Sequence, residues 1–333
     1  MTSQPAFIQV LLKPETYAHH PQKVELVQTQ MSFIFLAGDL VYKVKKPVDL
    51  GYLDYTTLEK RRFFCNQELE LNRRLCPEVY LEVVPIVSRA GQIYIGGKGE
   101  VIEYAVKMKS LPADRMMDKL LPQNLVTEDM VARVADKLAA FHGQAKTSEG
   151  ISAFGKQQAI KVNTDENFDQ TEKYIDISIP GNIYRKIKAY TKDFLKANKS
   201  LFDKRVKEGR IRDCHGDLHA AHVCLVDGIC IYDCIEFNDR FRYGDVASEV
   251  AFLAMDLDRF QHPELSRAFV NAYVRLSGDK DLMQLLNFYK CYRAYVRGKV
   301  ASFMQDDRYI TETERKIAFD TARMYFALAE SYV

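Results

Sequence analysis

Residues 213–245 read DCHGDLHAAHVCLVDGICIYDCIEFNDRFRYGD, and this stretch decides the fold of the chain. Two apolar runs, 223–226 and 229–232, flank Asp227-Gly228, a pattern that predicts a β-hairpin. Asp217 precedes the first predicted strand and Asp233 follows the second, so the hairpin is expected to hold both carboxylates at its open end. Such a pair suits a proton acceptor beside a divalent cation, which is the core of a phosphoryl-transfer site.

Composition narrows the class of protein. The chain has 333 residues, enough for one large domain or two ordinary ones, and 47% hydrophobic with 28% charged residues is typical of a soluble globular protein. A net charge of +2 gives no general electrostatic argument for binding nucleic acid or membrane. The first ten residues lack the features of a secretory signal, and the seven cysteines form no CxxC pair. These features predict reduced thiols and a cytoplasmic location.

The first third of the chain is strand-like. Residues 24–27, 33–37 and 40–45 predict an antiparallel meander, in which the period of two places Lys43 and Lys45 on one face. A lysine on the inner face of a small sheet can reach phosphate oxygens, whereas lysines on an edge strand can simply prevent aggregation. We favour Lys43 as the phosphate-contacting residue because Asp217 and Asp233 follow downstream, with Lys45 as the second candidate.

Periodicity predicts the remaining elements. A helix is expected over 57–75 with Thr56 or Thr57 as its cap, then strands over 79–87, 92–95 and 101–108. From Pro112 onward the pattern is helical, apart from the hairpin and a polar segment, 144–170, that we expect to be a loop. The predicted helices are 127–142, two within 170–208 that separate near residues 179–181, and 246–257, 263–276, 280–304 and 311–333.

The motifs resemble those of the aminoglycoside phosphotransferase-like kinases, a branch of the protein-kinase-like fold. His215-Gly216-Asp217 and Tyr232-Asp233 match the signature of this family, whereas its asparagine falls on His222. FLAGDLVYKVKKPVDLGYLD and DCIEFNDRFRYGDVASEVAFLAMDLD are similar to bacterial members, some of which carry a separate P-loop ATPase half.

The resemblance implies an α+β, bilobal fold. The first lobe, residues 1–109, would be an antiparallel sheet with one main helix, and the second, residues 110–333, mostly helical with a catalytic hairpin. It also implies ATP and Mg²⁺ as cofactors, with Mn²⁺ possible, and a small-molecule acceptor that is phosphorylated on a hydroxyl. A P-loop ATPase partner is expected by family analogy alone.

The family's nucleotide-binding residues carry over by position. Glu68 is the expected partner of the strand lysine, with Glu59 as the second candidate and a solvated helix charge as the alternative. Met108 and Ser110 lie where the family's hinge binds adenine through its backbone.

The family's catalytic residues carry over in the same way. Asp217 would be the catalytic base, and His215 would hold its loop. Asp233 would bind Mg²⁺, and Glu236 would bind a second metal or a substrate amine. Asp245 is expected to have a structural role as the cap of the helix that follows it. Glu249, Asp256 and Asp258 are candidates for recognising a cationic substrate, although solvated helix charges explain them equally well.

His222 opens two alternatives. Imidazole nitrogen suits Mn²⁺ or Zn²⁺ better than Mg²⁺, so the metal site could be altered, or the chain could be a catalytically weak, pseudokinase-like nucleotide-binding regulator. A zinc-dependent hydrolase is the other alternative, although no His-Glu-x-x-His motif supports it. Its candidate ligands are the clustered residues Cys214, His215, His219, His222 and Cys224.

Overall fold

The computed structural model describes residues 5–307 and 310–333. It contains two compact units, of which the first comprises the chain up to Met116 together with Cys224–Asp239. The second comprises Met117–Val223 and Arg240–Val333.

The elements follow the predicted order of strands and then helices. The strands are β1 (Glu25–Gln28), β2 (Ser32–Ala37), β3 (Leu40–Lys45), β4 (Tyr80–Arg89), β5 (Gln92–Ile95), β6 (Glu100–Lys109), β7 (Ile211–Asp213), β8 (Val223–Cys224), β9 (Cys230–Ile231) and β10 (Tyr243–Asp245). The α-helices are α1 (Ala6–Leu11), α2 (Leu58–Arg73), α3 (Met117–Leu120), α4 (Glu128–Gln144), α5 (Glu149–Ser152), α6 (Gln157–Thr171), α7 (Gly181–Ala197), α8 (Lys199–Lys207), α9 (Asp239–Arg242), α10 (Val246–Arg259), α11 (Pro263–Ser277), α12 (Leu282–Met304) and α13 (Glu312–Glu330).

The first unit is built on an antiparallel sheet with the strand order β1-β2-β3-β6-β4-β5. Alternation along β3 gives this sheet two different faces. Tyr42 and Val44 are buried in a core cluster with residues of α1, while Lys43 and Lys45 lie on the other face and contact Glu68 of α2. The predicted meander and the shared face of the two lysines are therefore confirmed.

Helix α2 begins at a conventional N-cap. The hydroxyl of Thr57 accepts a hydrogen bond from the amide of Lys60, which resolves the choice between Thr56 and Thr57. Cys65 on its buried side packs in a core cluster with Tyr80 of β4 and with Val106 and Met108 of β6. The helix therefore lies against the sheet through Cys65 and positions Glu68 one turn further on.

The predicted hairpin is present, but its strands are shorter than expected. β8 and β9 have two residues each, and positive φ values fall at Gly228 and Ile229 rather than at Asp227 and Gly228. A two-residue type I′ turn needs positive φ at both central residues, so Asp227-Gly228 does not form one. The connection therefore runs over residues 225–229, and the ladder is correspondingly shorter.

Residues 110–116 and 224–239 group with the sheet, in contrast to the predicted division after residue 109. The amide of Leu225 donates to the carbonyl of Arg115, and Met116 forms an isolated β-bridge with Cys224. A disulfide joins Cys76 to Cys230. The prediction of reduced thiols is therefore wrong for this pair, while the other five cysteines are buried thiols.

The second unit is mostly helical, and its helix boundaries agree with the predicted ones within a few residues, with two exceptions. The two helices predicted within 170–208 were expected to separate near residues 179–181, whereas α7 and α8 separate at Asn198. Residues 144–170, predicted as a loop, contain α5 and most of α6. Helix α6 buries Thr164, Asn167 and Thr171 beside its apolar residues, so its sequence lacks a clear apolar stripe.

The long helices of this unit pack through aromatic residues. The spacing of Tyr289 and Tyr295 on α12 predicts a packing face, and both side chains are buried.

Within the described ranges, no helix combines the length and apolar character needed to cross a bilayer.

Candidate functional site

The first unit brings five of the predicted site residues into one ion-pair cluster. Lys43 Nζ lies 2.7 Å from Asp233 Oδ1 and 2.8 Å from Glu68 Oε1. Lys45 Nζ lies 2.7 Å from Glu68 Oε2 and also contacts Glu236 Oε1. Glu68 is thus the acidic partner of both strand lysines, as predicted from its position on α2.

The two lysines differ in exposure. The side chain of Lys45 is 1% exposed and is enclosed by Glu68, Glu236 and the ring of Tyr55, whose hydroxyl donates to Glu236 over 2.6 Å. The side chain of Lys43 is 16% exposed, and its partner Asp233 is 41% exposed. Because a phosphate needs access, Lys43 fits phosphate contact better than Lys45, while Lys45 fits a structural role.

Opposite charges favour the ionised forms of Lys43, Lys45 and Glu68. Burial lowers the pKa of both lysines, but the carboxylates outweigh it and hold each pKa well above the ordinary lysine value; Asp233 is the strongest opposing influence on Lys43, and Glu236 on Lys45. Burial likewise raises the pKa of Glu68, but Lys43 and Lys45 bring it below the usual range. The cluster therefore sets two lysines against three carboxyl groups, and Lys43, Lys45 and Glu68 are charged at neutral pH.

Asp233 is held by its own backbone and its neighbours. It adopts a left-handed conformation with φ of 62°, which aspartate and asparagine tolerate better than most residues. Its amide donates to the hydroxyl of Tyr80 over 3.3 Å, and the next amide, that of Cys234, donates to Asn72 Oδ1 over 2.8 Å. These contacts place a partly exposed carboxylate beside Lys43.

The hinge residues are placed at the end of β6. Met108 is buried and lies in register with Val41 of β3 and Tyr80 of β4. The amide of Ser110 donates to the carbonyl of Asp39 over 2.9 Å. Adenine recognition at Ser110 would therefore use its carbonyl or hydroxyl, and recognition at Met108 and Ser110 stays a prediction.

In the second unit, the His215-Gly216-Asp217 turn is anchored on Glu249 of α10. The amide of His215 donates to Glu249 Oε1 over 2.9 Å, and that of Gly216 over 2.7 Å. His142 Nε2 is 2.8 Å from Glu249 Oε2, and its Nδ1 is 2.8 Å from the hydroxyl of Tyr273. A fully buried carboxylate therefore fixes the backbone of the turn.

The proposed base Asp217 lies among cationic and imidazole groups. Its Oδ2 is 3.5 Å from His219 Nε2 and 3.6 Å from His222 Nδ1. Burial raises the pKa of the Asp217 carboxyl, but His219, His222 and Arg297 outweigh this and hold it well below its usual range. Asp217 is therefore an ionised carboxylate over the whole neutral range.

His215 supports the turn from within. Its side chain is fully buried, and its Nδ1 accepts a hydrogen bond of 3.3 Å from the amide of Asp217. On the carbonyl side of the turn, Arg293 donates to the carbonyl of Gly216 over 3.1 Å. These contacts agree with a supporting role for His215, and its part in catalysis stays a prediction.

Several acidic residues have structural partners. The side chain of Asp245 accepts from the amide of Ala247, as expected for a cap of α10, and also pairs with buried Arg205. Glu249 and Asp256 are buried, and Asp256 accepts from the amide of Ala220 over 2.9 Å. The interpretation of Glu249 and Asp256 as substrate-binding residues is therefore wrong.

The remaining acidic candidates also have close partners. Asp258 Oδ2 is 2.8 Å from Lys290 Nζ and 2.6 Å from the hydroxyl of Tyr332. Glu236 is paired with Lys45, and its role as a second metal ligand stays a prediction.

The two cysteines of the suggested zinc cluster are poor candidates for zinc ligands. Cys224 packs in the core of the first unit with Cys65 and Met108. Burial raises the pKa of the Cys214 thiol well above its usual value and that of Cys224 to about 11, which disfavours the thiolate that zinc requires. The structure therefore does not favour the zinc-hydrolase alternative at these cysteines.

Glu249 and His142 were not predicted from the sequence as supports of the His215-Gly216-Asp217 turn. Glu249 is 34 residues from His215, and His142 is 107 residues from Glu249. The available signal was a charged residue within the apolar run VASEVAFLAM, because such a residue needs a buried partner.

Comparison with solved structures defines the class of fold. A choline/ethanolamine kinase family protein from Mesorhizobium loti superposes with a TM-score of 0.56 at 11% identity, covering 98% of each chain. A Plasmodium vivax ethanolamine kinase gives a TM-score of 0.51 at 10% identity, covering 93% of this chain and 83% of that one. The predicted α+β kinase-like fold, with an antiparallel sheet lobe and a helical lobe, is confirmed.

Comparison of sequences defines the family. The sequence model of the "Phosphotransferase enzyme family" matches residues 108–286, and the chain belongs to this family. An uncharacterised protein of Mycobacterium tuberculosis (strain H37Rv) is 34% identical over 278 residues, which is 83% of this chain and 54% of that protein. The chain thus spans about half the length of the curated relatives it matches. The expectation of a P-loop ATPase partner finds no support in these comparisons.

Proposed function

We propose that this protein transfers the γ-phosphoryl group of ATP to a hydroxyl group of a small molecule. The observation that carries the proposal is the ion-pair cluster around Lys43, in a chain that belongs to a phosphotransferase family. Lys43 bridges a buried carboxylate on a helix and a partly exposed carboxylate on a loop. A kinase uses such a lysine to hold phosphate oxygens, with its position fixed by the helix carboxylate.

The Lys43 cluster fits a nucleotide with its metal. Asp233 offers carboxylate oxygens, the ligands that Mg²⁺ prefers, and it is the most exposed acid of the cluster. When bound, the metal ion would neutralise charge on the β- and γ-phosphates. Asp233 would hold that ion, with Mn²⁺ as an alternative, and Lys43 would exchange part of its contact with Asp233 for phosphate oxygens.

Asp217 would accept the proton of the acceptor hydroxyl. Its low pKa makes it a weak base in the ground state, but it is always in the deprotonated form needed to orient a hydroxyl. Glu249 positions this base through the amides of His215 and Gly216, and His215 supports it through its own Nδ1. The backbone that carries the base is thus fixed before any substrate binds.

The acceptor is best sought among small polyols and amines that carry a hydroxyl. Aminoglycosides are the substrates named by the resemblance, and the structural neighbours are named for choline and ethanolamine, so both classes belong in the first panel. In each reaction, ADP formation would be measured, and mass spectrometry would detect an acceptor heavier by one phosphoryl group. We expect transfer to at least one acceptor with Mg²⁺ or Mn²⁺, and none with Asp217→Asn.

A catalytically weak nucleotide-binding regulator is the alternative that His222 suggests. Nucleotide binding without transfer to any acceptor, and with the same slow hydrolysis in Asp217→Asn, would favour this alternative over the proposed enzyme. Absence of metal-dependent nucleotide binding would contradict both.

A further inference from the structure

We propose that Asp217, His219 and His222 form a binding site for a divalent transition-metal ion of the Zn²⁺ class. Each of the three residues offers one ligand atom, and these atoms all lie within 4.8 Å of one another. The set of one carboxylate and two imidazoles is the ligand type of zinc sites that keep a fourth position open.

The spacing within the cluster is close to that of a formed site. Asp217 Oδ2 is 3.5 Å from His219 Nε2 and 3.6 Å from His222 Nδ1. Zinc bonds of about 2.0–2.1 Å in a tetrahedron place neighbouring ligand atoms about 3.4 Å apart. The side chains need only small adjustments to bind an ion.

Local structure brings the two histidines together. A 3-10 turn, Ala220–His222, follows His219, and the two imidazole rings are 4.0 Å apart at their centroids. The ring of His219 also packs 5.7 Å from that of Phe252, and its residue is only 7% exposed. The amide of Ala220 is fixed by Asp256, so the turn that presents both rings is anchored on α10.

Metal binding through His222 would replace a hydrogen bond that this histidine makes in the structure. Its Nδ1 lies 2.8 Å from the backbone carbonyl of Asp217, which can only accept, so Nδ1 carries the ring proton in this structure. Binding through Nδ1 moves the proton to Nε2, and the ring stays neutral. The hydrogen bond lost in this way is weak beside the metal–ligand bonds that form.

Charge around the site is compatible with a cation. Arg297 interacts with Asp217, but it also interacts with Asp256 and Tyr325, so its charge is shared with a second carboxylate. Imidazoles that bind a metal ion are neutral, so the carboxylate of Asp217 gives the three ligands a net charge of −1, which favours a divalent cation.

A second cluster in the same unit provides a contrast. His142, Cys214 and Glu249 also lie within ligand distance of one another. Both nitrogens of His142 and both oxygens of Glu249 have close partners, and the Cys214 thiol has its pKa raised by burial. Metal binding there would break the network that holds the turn, so we assign the ion to the Asp217 cluster alone.

Metal at this site has a consequence that rests on the proposed function. The carboxylate of Asp217 cannot bind a zinc ion and accept a proton from the acceptor through the same oxygen. Zinc-class ions are therefore expected to inhibit phosphoryl transfer, and the inhibition should be reversed by a chelator.

Isothermal titration of ZnCl₂ into the full-length, chelator-treated protein, without nucleotide or acceptor, tests the site itself. We expect one ion per chain, and at least about tenfold weaker binding for His222→Asn and for His219→Asn. The matched control is His20→Asn, because His20 is an exposed histidine with a positive φ that asparagine tolerates. It should bind zinc like the original protein.

Titration of Co²⁺ into the unmodified protein gives a readout that does not depend on the folding of a variant. We expect the strong visible absorption of tetrahedral cobalt, displaced by Zn²⁺. Weak octahedral absorption, or equal zinc binding by all three histidine variants, would overturn the proposed site. Because neither measurement involves phosphoryl transfer, failure here would leave the phosphotransferase proposal standing, and the acceptor panel would decide that proposal separately.

Discussion

The Lys43 cluster of the first unit and the Asp217 turn of the second hold their carboxylates in different ways. In the first, each carboxylate lies against a lysine, and Lys43 and Asp233 remain partly exposed. In the second, a buried carboxylate, Glu249, binds backbone amides, and Asp217 is approached by imidazoles. The first arrangement can exchange ion-pair partners for a nucleotide, whereas the second keeps its backbone rigid. In the proposed enzyme, the Lys43 cluster would therefore bind the nucleotide, and the Asp217 turn would position the base.

The largest expected effect is on chemistry. Asp217→Asn should lower turnover by about a hundredfold or more, because the amide cannot accept the acceptor proton, while nucleotide affinity stays nearly unchanged. Steady-state kinetics together with nucleotide titration would show the separation. Asp227→Asn, an exposed aspartate on the hairpin connection, is the matched control. Equal losses of affinity and turnover in Asp217→Asn would argue against the division of roles.

The two strand lysines should differ in their effect on stability. Lys45→Met leaves Glu68 and Glu236 without their buried cation, which costs about 3–5 kcal/mol in comparable sites. In Lys43→Met, Glu68 keeps Lys45 as its partner and Asp233 is partly exposed, so we expect a loss of about 1 kcal/mol. Urea unfolding of both variants measures the difference, and similar losses would contradict the assignment of Lys45 as the structural lysine.

Acid should weaken the anchoring of the catalytic turn. Burial raises the pKa of Glu249, but the hydrogen bond from His142 and the neighbouring groups lower it from 4.5 to about 2. A depressed folded-state pKa means that the stabilisation is present above the unfolded value and is lost as pH falls towards 2. The shift corresponds to about 3 kcal/mol.

Urea unfolding between pH 6 and pH 3 would measure this dependence. The stability of Glu249→Gln should change less over this range than that of the original protein. Glu208→Gln, which removes an exposed carboxylate, should keep the original dependence. An unchanged pH dependence in Glu249→Gln would show that other groups control acid unfolding.

The smallest expected effect is that of replacing Asp233, the candidate metal ligand. The substitution must avoid adding backbone strain. Asp233 has positive φ, so alanine would add strain, whereas asparagine tolerates the conformation. Asp233→Asn should weaken nucleotide binding in Mg²⁺ by about tenfold or more and leave metal-free binding nearly unchanged. A uniform loss in both conditions would point to a general electrostatic effect instead of a metal ligand.

Local patterns predicted the parts of the molecule that depend on short-range sequence. The alternation of residues in β3 identified the face of Lys43, and the caps of α2 and α10 were readable from Thr57 and Asp245. The buried polar residues of α6 concealed a helix, because their partners come from tertiary packing. For example, Thr171 contacts the hydroxyl of Tyr295, 124 residues away.

For the same reason, the motif residues of the candidate site were predicted, but the residues that support them were not. Family motifs placed Asp217, Asp233 and Glu68 correctly on their elements, but the support from Glu249 and His142 depends on contacts between distant segments. The disulfide between Cys76 and Cys230 spans 154 residues and has no local signature. Sequence alone therefore indicated the candidate groups for the proposed chemistry, and tertiary structure was needed to find the residues that hold them.

The most direct test of the account is titration of a non-hydrolysable ATP analogue into three proteins, with and without Mg²⁺: the original chain, Lys43→Met and Asp217→Asn. We expect Mg²⁺-dependent binding to the original chain, nearly equal binding to Asp217→Asn, and at least about tenfold weaker binding to Lys43→Met. Binding that ignores both Mg²⁺ and the loss of Lys43, or no binding at all, would contradict it.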